Sequence, residues 1–308
     1  MKNEQVIYDH TFDLHSINKF ASLMTLGNGY LGIRGTFEED YFEQTRGMYV
    51  AGIYNKASKN EPSDLVNLPD LLGMKIEIDG EIFSMLSGEI LSYERQLNLV
   101  SGELKRELLW KSKAGARYRF VFQRFVAKNN LNVLASKMTV TSLDKTTSIK
   151  IVSGINAQQT NFGKQHLIEE KVRVFDEEVM QGVYKTTELG HTIALATSCK
   201  CSGESVVSFA AKNRQLLTTI KQDLNVEIPF IFEKLSTVFT SLDQGVYGQD
   251  PEAASIKELS EISPLGYDAL LEMSALKWQE FWQQKRIHIS STNPFDQTAM
   301  DFALYHLE

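Results

Sequence analysis

The chain has 308 residues, of which 43% are apolar and 23% are charged, and its formal net charge at pH 7 is −7. This composition is typical of a soluble globular protein, with room for one large domain or two smaller ones. The acidic balance argues against a nucleic-acid-binding protein, which needs a basic surface to displace the counterions of phosphates. No apolar run is long enough to predict a membrane span or a secretion signal, so we expect a cytoplasmic protein without a membrane partner.

From Gln5 to about Ala211 the sequence consists of short apolar or alternating runs separated by turn signals about every ten residues. Residues 22–35 predict a hairpin in which Asn28 and Gly29 supply the positive φ angles of a two-residue turn. The same stretch contains Gly27-x-Gly29-x-x-Gly32, the spacing of a dinucleotide-binding loop. No amphipathic helix follows it to bind a pyrophosphate, so nucleotide binding is not expected.

Three further hairpins are predicted downstream. Met74–Ile78 and residues 81–85 flank Asp79-Gly80, which is typical of a type I′ turn. The others pair residues 104–111 with 117–127, and residues 133–141 with 147–153. Four more strands are predicted at residues 172–175, 179–186, 192–197 and 206–210. Many strands without alternating helices favour antiparallel sheets stacked face to face, that is, a large two-sheet sandwich.

The pattern changes near Gly245, after which helices are predicted. Asp250-Pro251-Glu252 is a strong helix start, with a capping acceptor, a proline at the first position and an acidic first turn. The helix extends to Ile262, and a second one runs from about Tyr267 to Gln284 with one broad apolar face.

A third helix begins at Asn293-Pro294-Phe295-Asp296 and is rich in apolar residues. These are Phe295, Met300, Phe302, Ala303, Leu304 and Leu307. A short helix gains most of its stability from packing, so this one needs partners to bury its apolar side chains.

Three blocks in this order resemble the N-terminal region of glycoside hydrolase family 65. They are LGNGYLGIRG at residues 26–35, MYVAGIY at 48–54 and DLVNLP at 64–69, followed by Asp79-Gly80 and by Trp278-x-x-x-Trp282. The family contains maltose, trehalose, kojibiose and nigerose phosphorylases and acid trehalases. The resemblance implies a super-sandwich like that of galactose mutarotase over residues 1–245. Residues 246–308 are then a helical linker and the first helix of an (α/α)6 barrel that this chain lacks.

No residue is nominated as catalytic, cofactor-binding or metal-binding. The two cysteines, Cys199 and Cys201, share one face of a predicted strand and are expected to be free thiols. The histidines are not spaced as metal ligands, so no metal or other cofactor is expected. They are His10, His15, His166, His191, His288 and His306. The three tryptophans, Trp110, Trp278 and Trp282, are predicted to lie in the core or at an interface rather than to stack on sugar rings.

Glycosidic bond cleavage requires an acid and, for inversion, room for an attacking group on the opposite face. The sequence offers many carboxylates for this role, but acidic residues paired in loops are usually only solvated. The candidates are Glu38, Glu39, Asp40, Glu169, Glu170, Asp176, Glu177 and Glu178. The polar loop at residues 54–67 follows a strong strand and is the candidate to reach towards a sugar pocket.

The resemblance implies that this chain is the non-catalytic N-terminal domain of a disaccharide phosphorylase. In the family, a glutamate of the barrel is the general acid, and inorganic phosphate is the co-substrate. An α-glucosidic disaccharide then yields β-glucose 1-phosphate with inversion, and a homodimer is expected. Three alternatives remain open: a mutarotase-like sugar epimerase on the concave face of the sandwich, a carbohydrate-binding module, and part of a trehalose hydrolase.

Overall fold

The structure is a computed structural model, and it describes residues 5–176, 178–243, 250–293 and 295–308. The strands are β1 Val6–Asp9, β2 Leu26–Gly27, β3 Leu31–Ile33, β4 Met48–Val50, β5 Tyr54–Asn55, β6 Asp64–Leu65, β7 Met74–Ile78, β8 Glu81–Ile82, β9 Glu89–Asn98, β10 Glu103–Lys111, β11 Arg117–Val126, β12 Val133–Ser142, β13 Thr147–Asn156, β14 Leu167–Phe175, β15 Val179–Thr186, β16 Thr192–Cys201, β17 Val206–Lys212, β18 Gln215–Leu224 and β19 Phe230–Thr240. The α-helices are α1 Ile17–Leu23, α2 Pro251–Ile262, α3 Gly266–Lys285 and α4 Phe295–Leu307. The predicted boundary between residues 245 and 246 and the predicted helix start at Pro294 lie outside the described residues.

Two large antiparallel sheets form the body of the molecule. The nine-stranded sheet has the order β1-β9-β10-β11-β12-β19-β16-β15-β14, and the five-stranded sheet has the order β17-β18-β13-β7-β8. Two small sheets, β2-β3-β4 and β5-β6, lie beside them. The prediction of a mainly β protein built on a large antiparallel sandwich is therefore confirmed.

Of the three hairpins predicted downstream of residue 35, two are present and one is wrong. Asp79 and Gly80 have φ angles of 53° and 80°, as a type I′ turn requires, and β10 pairs with β11. However, β12 and β13 belong to different sheets: β12 pairs with β11 and β19, whereas β13 pairs with β18 and β7. Helix α1 and strands β18 and β19 were not predicted.

The turn between β2 and β3 differs from its prediction. Gly29 has a φ of +89°, whereas Asn28 does not adopt a positive φ. Instead, the Asn28 side chain is buried, and its amide nitrogen donates hydrogen bonds to the carbonyl oxygens of Ala127 (2.8 Å) and Leu131 (3.0 Å). Its side-chain oxygen accepts from the backbone nitrogen of Leu31 at 2.8 Å. Asn28 therefore fixes the hairpin to the connection between β11 and β12.

The nine-stranded sheet is covered on both faces. Side chains alternate along β19, so Phe232 faces the five-stranded sheet and belongs to an aromatic cluster with Trp110, Phe120 and Phe122. On the opposite face, Leu235 packs against a cluster supplied by helices α2 and α3, with members that are mostly aliphatic. The helical members are Leu259, Ile262, Tyr267 and Leu270.

Helix α2 begins with Pro251 in its first turn, as predicted, but the Asp250 side chain makes no capping hydrogen bond among the described residues. Most of the predicted apolar face of α3 is buried, including Trp278 and Trp282, whereas Met273 is 43% exposed. The Trp282 ring nitrogen donates to the carbonyl oxygen of Leu99 at 2.7 Å. Helix α3 is therefore attached to the sandwich along its length.

Helix α4 packs differently from its prediction. Its buried residues are Asp301 and Tyr305, whereas Phe295 and Leu307 are 67% and 84% exposed. Tyr305 stacks on Trp278 with ring centroids 4.7 Å apart. The fully buried Asp301 carboxylate accepts two hydrogen bonds from Arg286, at 3.1 and 2.7 Å. Part of the apolar surface that the sequence predicted to need a partner therefore faces solvent.

Candidate functional site

The loop at residues 54–67 is a short hairpin whose first strand is held by Asn55. Tyr54 pairs with Leu65 and Asn55 with Asp64, which leaves residues 56–63 as the connection. The fully buried Asn55 amide nitrogen donates to the hydroxyl of Thr187 at 2.8 Å, and its oxygen accepts from the backbone nitrogen of Glu188 at 3.0 Å. The base of this hairpin is therefore a fixed part of the sandwich and not a loose connection.

His166 lies beside Asn55 and contacts the second strand of the hairpin. Its Nδ1 lies 3.1 Å from the Asn55 amide nitrogen. Nε2 lies 3.5 Å from a carboxylate oxygen of Asp64. The His166 side chain is only 1% exposed. His166 therefore positions the hairpin, and its ring cannot reach a ligand in solvent.

The end of the loop is held by Asn67. Its side-chain oxygen accepts from the backbone nitrogen of Met48 at 3.1 Å, and its amide nitrogen donates to the carbonyl oxygen of Arg46 at 3.1 Å. The Asn161 side chain bonds to both Asn67 and Leu65, at 2.9 and 2.8 Å. Because both ends of the loop are fixed, residues 56–63 are the part that projects. The hydrogen bonds of Asn67 and Asn161 explain why the sequence blocks at residues 48–54 and 64–69 lie together.

A second group of polar residues lies between the two large sheets, and we call it the inter-sheet charge cluster: Glu38, Glu39, Arg95, Arg106 and Arg124. All five are between 1% and 8% exposed. Arg106 binds both oxygens of Glu39 at 2.6 Å and one oxygen of Glu38 at 2.7 Å. Arg124 binds the other oxygen of Glu38 at 2.5 Å. Every oxygen of the two carboxylates thus accepts a charge-assisted hydrogen bond.

The arginines of this cluster come from three adjacent strands, β9, β10 and β11, and Arg95 lies directly opposite Arg106. Like charges in that position repel each other. The segment between β3 and β4 compensates for this repulsion by inserting the two glutamates and the Phe37 ring. The guanidinium carbons of Arg95 and Arg106 lie 4.5 and 4.8 Å from the centre of that ring.

The charges in the cluster shift one another's pKa values. Burial alone would raise the pKa of Glu38, but Arg124, Arg106 and Arg95 outweigh burial and hold it below its usual range. Burial lowers the pKa of Arg95 to about 10. For Arg106, burial also acts to lower the pKa, but Glu39 and Glu38 more than compensate and raise it. Glu38 therefore stays ionised and paired with its arginines.

A buried lysine joins the two sheets beside this cluster. Lys234 of β19 is 1% exposed, and its ammonium donates to the carbonyl oxygens of Leu71 and Gly154, both at 2.6 Å, and to the hydroxyl of Ser153 at 3.1 Å. Ser153 and Gly154 belong to β13 of the five-stranded sheet. Burial lowers the pKa of Lys234. Its three hydrogen bonds make it a link between the sheets.

The structure corrects the prediction that the paired acidic residues of loops are solvated. Glu38 and Glu39 are buried and neutralised, although the Asp40 side chain is 93% exposed. The remaining candidates lie on the edge strand β14 and its turn; they are Glu169, Glu170, Asp176 and Glu178, while Glu177 is outside the described residues. The carboxylates between the sheets therefore carry structural contacts rather than a free acid and base.

The other predicted residues have structural positions. The three tryptophans are at most 7% exposed, so their assignment to the core is confirmed. Cys199 and Cys201 are free thiols, and burial raises their pKa values to about 11 and 12. In the described part of the chain, no cluster of His, Cys, Asp and Glu could hold a metal ion. None of the described helices has the length and apolar character to span a membrane.

Comparison with known proteins identifies the family of this chain. The sequence matches the description "Glycosyl hydrolase family 65, N-terminal domain" over residues 7–281. The chain belongs to this family. It is similar to a kojibiose phosphorylase of Escherichia coli (strain K12), at 42% identity over 96% of this chain and 39% of the relative. A kojibiose phosphorylase of Halothermothrix orenii is 34% identical over 98% of this chain and 40% of the relative.

A solved structure supports the fold. A putative kojibiose phosphorylase from the human microbiome superimposes with a TM-score of 0.90 at 18% sequence identity, and the match covers 100% of this chain and 42% of that protein. The chain thus spans about two fifths of the length of the relatives it matches. The family's N-terminal domain accounts for most of the described sandwich, for helix α2 and for most of helix α3.

Proposed function

We propose that this chain is the non-catalytic N-terminal domain of a disaccharide phosphorylase. The complete enzyme would cleave an α-glucosidic disaccharide with inorganic phosphate, giving glucose 1-phosphate and glucose. The observation that carries the proposal is the 42% identity to a kojibiose phosphorylase, which extends over 96% of this chain but only 39% of the relative. Kojibiose is accordingly the proposed substrate of the complete enzyme, with phosphate as co-substrate and no further cofactor.

The inter-sheet charge cluster supports a non-catalytic role. A mutarotase-like enzyme needs an acid and a base that can reach a sugar on the concave face. The two glutamates of this cluster are buried between the sheets, and both oxygens of Glu38 and of Glu39 are bound to arginines. Proton transfer to a substrate would first have to break these buried ion pairs, which is costly.

The proposal assigns different roles to two consecutive parts of the chain. Residues 1–245 form the sandwich, and residues 246–308 form a helical linker whose last helix begins the catalytic domain. The anchored hairpin at residues 54–67 is the proposed segment that reaches towards the sugar pocket, because Asn55 and Asn67 fix its base while residues 56–63 project. A cytoplasmic homodimer remains our expectation for the complete enzyme.

The test is release of glucose 1-phosphate from kojibiose, nigerose, trehalose and maltose in phosphate buffer. We compare the 308-residue chain with a longer chain that also carries a catalytic domain of the relatives' length. We expect no turnover by the 308-residue chain and phosphorolysis of kojibiose by the longer one. Turnover by the short chain would place catalytic groups within the sandwich and overturn the proposal, and hydrolysis without phosphate dependence would favour a trehalase-type enzyme.

A further inference from the structure

Strand β17 forms an exposed edge of the five-stranded sheet. Within the described chain it pairs with β18 alone, in a regular register from Val206 opposite Lys221 to Lys212 opposite Gln215. Six of its seven residues are exposed, and only Phe209 is partly buried. Val206 and Val207 are 70% and 46% exposed. Such a long, apolar and regular edge is a template for pairing with another strand.

The other edges of the two sheets are protected, and the contrast singles out β17. At the opposite edge of its own sheet, β8 has only two residues. In the nine-stranded sheet, β1 has four residues and lies against α4. Strand β14 is long, but it carries Glu169, Glu170 and Lys171 and has a register shift between Glu169 and Lys171. Short length, charges and bulges are the devices that prevent edge pairing. Strand β17 is seven residues long with a regular register, and its one charged residue is Lys212 at its C-terminal end.

The charges that flank β17 are arranged for pairing with a second copy of itself. Glu204 precedes the strand and Lys212 ends it, both are exposed, and neither forms an ion pair with another described residue. In an antiparallel pair centred on Ser208, Glu204 of each copy lies opposite Lys212 of the other. Two opposite-charge pairs then flank the apolar centre, which stabilises this register.

We propose that β17 is a self-association site, at which two copies of this chain pair antiparallel about a two-fold axis at Ser208. The two five-stranded sheets then join into one continuous ten-stranded sheet. Because the same segment is used by both copies, the interface is closed and produces a dimer rather than a fibre.

The inner face of β17 fits the same register. Val207 and Phe209 line a cleft of about 210 Å³ between the sheets, together with Met180, Cys199 and Thr218. With Ser208 on the axis, Val207 of one copy lies opposite Phe209 of the other. The pairing therefore covers the apolar mouth of this cleft in both copies, and burial of apolar surface adds to the backbone hydrogen bonds.

Disulfide trapping tests the register directly. In the Ser208→Cys variant the two introduced thiols face each other across the axis, within the range of Cα separations that a disulfide spans. We expect an intermolecular disulfide under mild oxidation, seen as a dimer on non-reducing gels. The control is Ala210→Cys, whose two copies lie about 14 Å apart along the strands in this register and cannot form a bridge. Equal cross-linking of both variants, or of neither, would overturn the proposed pairing.

A charge swap provides a second test that leaves the core unchanged. Either Glu204→Lys or Lys212→Glu alone puts like charges opposite each other twice in the dimer, and we expect the dissociation constant to rise about ten-fold. The double variant restores two opposite-charge pairs, so its dissociation constant should return to within about two-fold of the original. Sedimentation velocity over a concentration series measures these values. A chain that stays monomeric at all concentrations, or a double variant no tighter than the single ones, contradicts the proposal.

Discussion

The two faces of the nine-stranded sheet are covered by different chemistry. The inner face meets the five-stranded sheet through large aromatic residues and through ions with no access to water, such as Arg106 and Lys234. The outer face meets helices α2 and α3 through a mostly aliphatic cluster around Leu235. Ion pairs there are at its margin, as with Lys137 and Asp268, whose carboxylate is 75% exposed.

The difference shows what each interface demands of its sequence. Helices can present a stripe of aliphatic side chains to a sheet, and small changes in that stripe are partly absorbed by repacking. A buried charge requires a partner at one defined position, because an unpaired ion in a medium of low dielectric constant is very costly. The inner interface therefore depends on a few residues that are distant in sequence.

The largest expected effect is on the inner face. Replacing Arg106 by Met leaves Glu39 without its two arginine hydrogen bonds and Glu38 with one fewer. We expect the free energy of unfolding to fall by about 3–5 kcal/mol, as measured by urea denaturation. The control is Arg117→Met, since the Arg117 side chain is half exposed and pairs with Asp144 at 2.6 Å. That change should cost less than about 1 kcal/mol, and equal losses in the two variants would contradict the contrast.

A smaller effect is expected on the outer face. Leu270 of α3 is 3% exposed, and its replacement by Ala should lower the free energy of unfolding by about 3 kcal/mol through lost burial and a residual cavity. Met273, one turn further along the same helix, is 43% exposed. Met273→Ala should change stability by no more than about 0.5 kcal/mol. If both variants lose the same amount, α3 does not pack on the sheet as described.

The smallest expected effect is the loss of the stabilising contribution of Glu38 at acid pH. The pKa of Glu38 is depressed in the folded state, so its contribution to stability is complete above its ordinary value of 4.5 and is lost as pH falls towards the folded value. Urea midpoints measured between pH 6 and pH 3 should decline, and the decline should be shallower in Glu38→Gln. Parallel curves for the two proteins would show that protonation of Glu38 does not contribute to the pH dependence of stability.

The sequence predicts those parts of the fold whose information is local. Asp79-Gly80 specifies its own turn, and the spacing of apolar residues locates helix α3 between Gly266 and Lys285. Pairings between distant segments are not encoded in this way. The segments of β12 and β13 are neighbours in sequence and were predicted as a hairpin, but each pairs with strands elsewhere.

The buried charges between the sheets follow the same rule. Glu38 and Glu39 read as a solvated acidic pair because their partners, Arg106 and Arg124, lie far along the chain on strands that the sequence places only approximately. A charge on the inward face of a strand, such as Arg106 between Leu104 and Leu108 in an alternating run, is the signal that could have located the cluster. The role of Asn55 in fixing the 54–67 loop depends on residues 166 and 187–189, which are distant in sequence.

The position of β19 has a consequence for how the chain folds. This strand lies in the middle of the nine-stranded sheet, and Val133 of β12 pairs with Thr237 of β19. The intervening chain supplies strands of both sheets, so the half formed by β1 and β9–β12 and the half formed by β14–β16 stay separate until β19 is inserted between them. Contacts of such long sequence separation make folding slow. During synthesis on the ribosome, two unfinished sheet edges remain open until residue 240 has emerged, and this interval is when the protein is most exposed to aggregation.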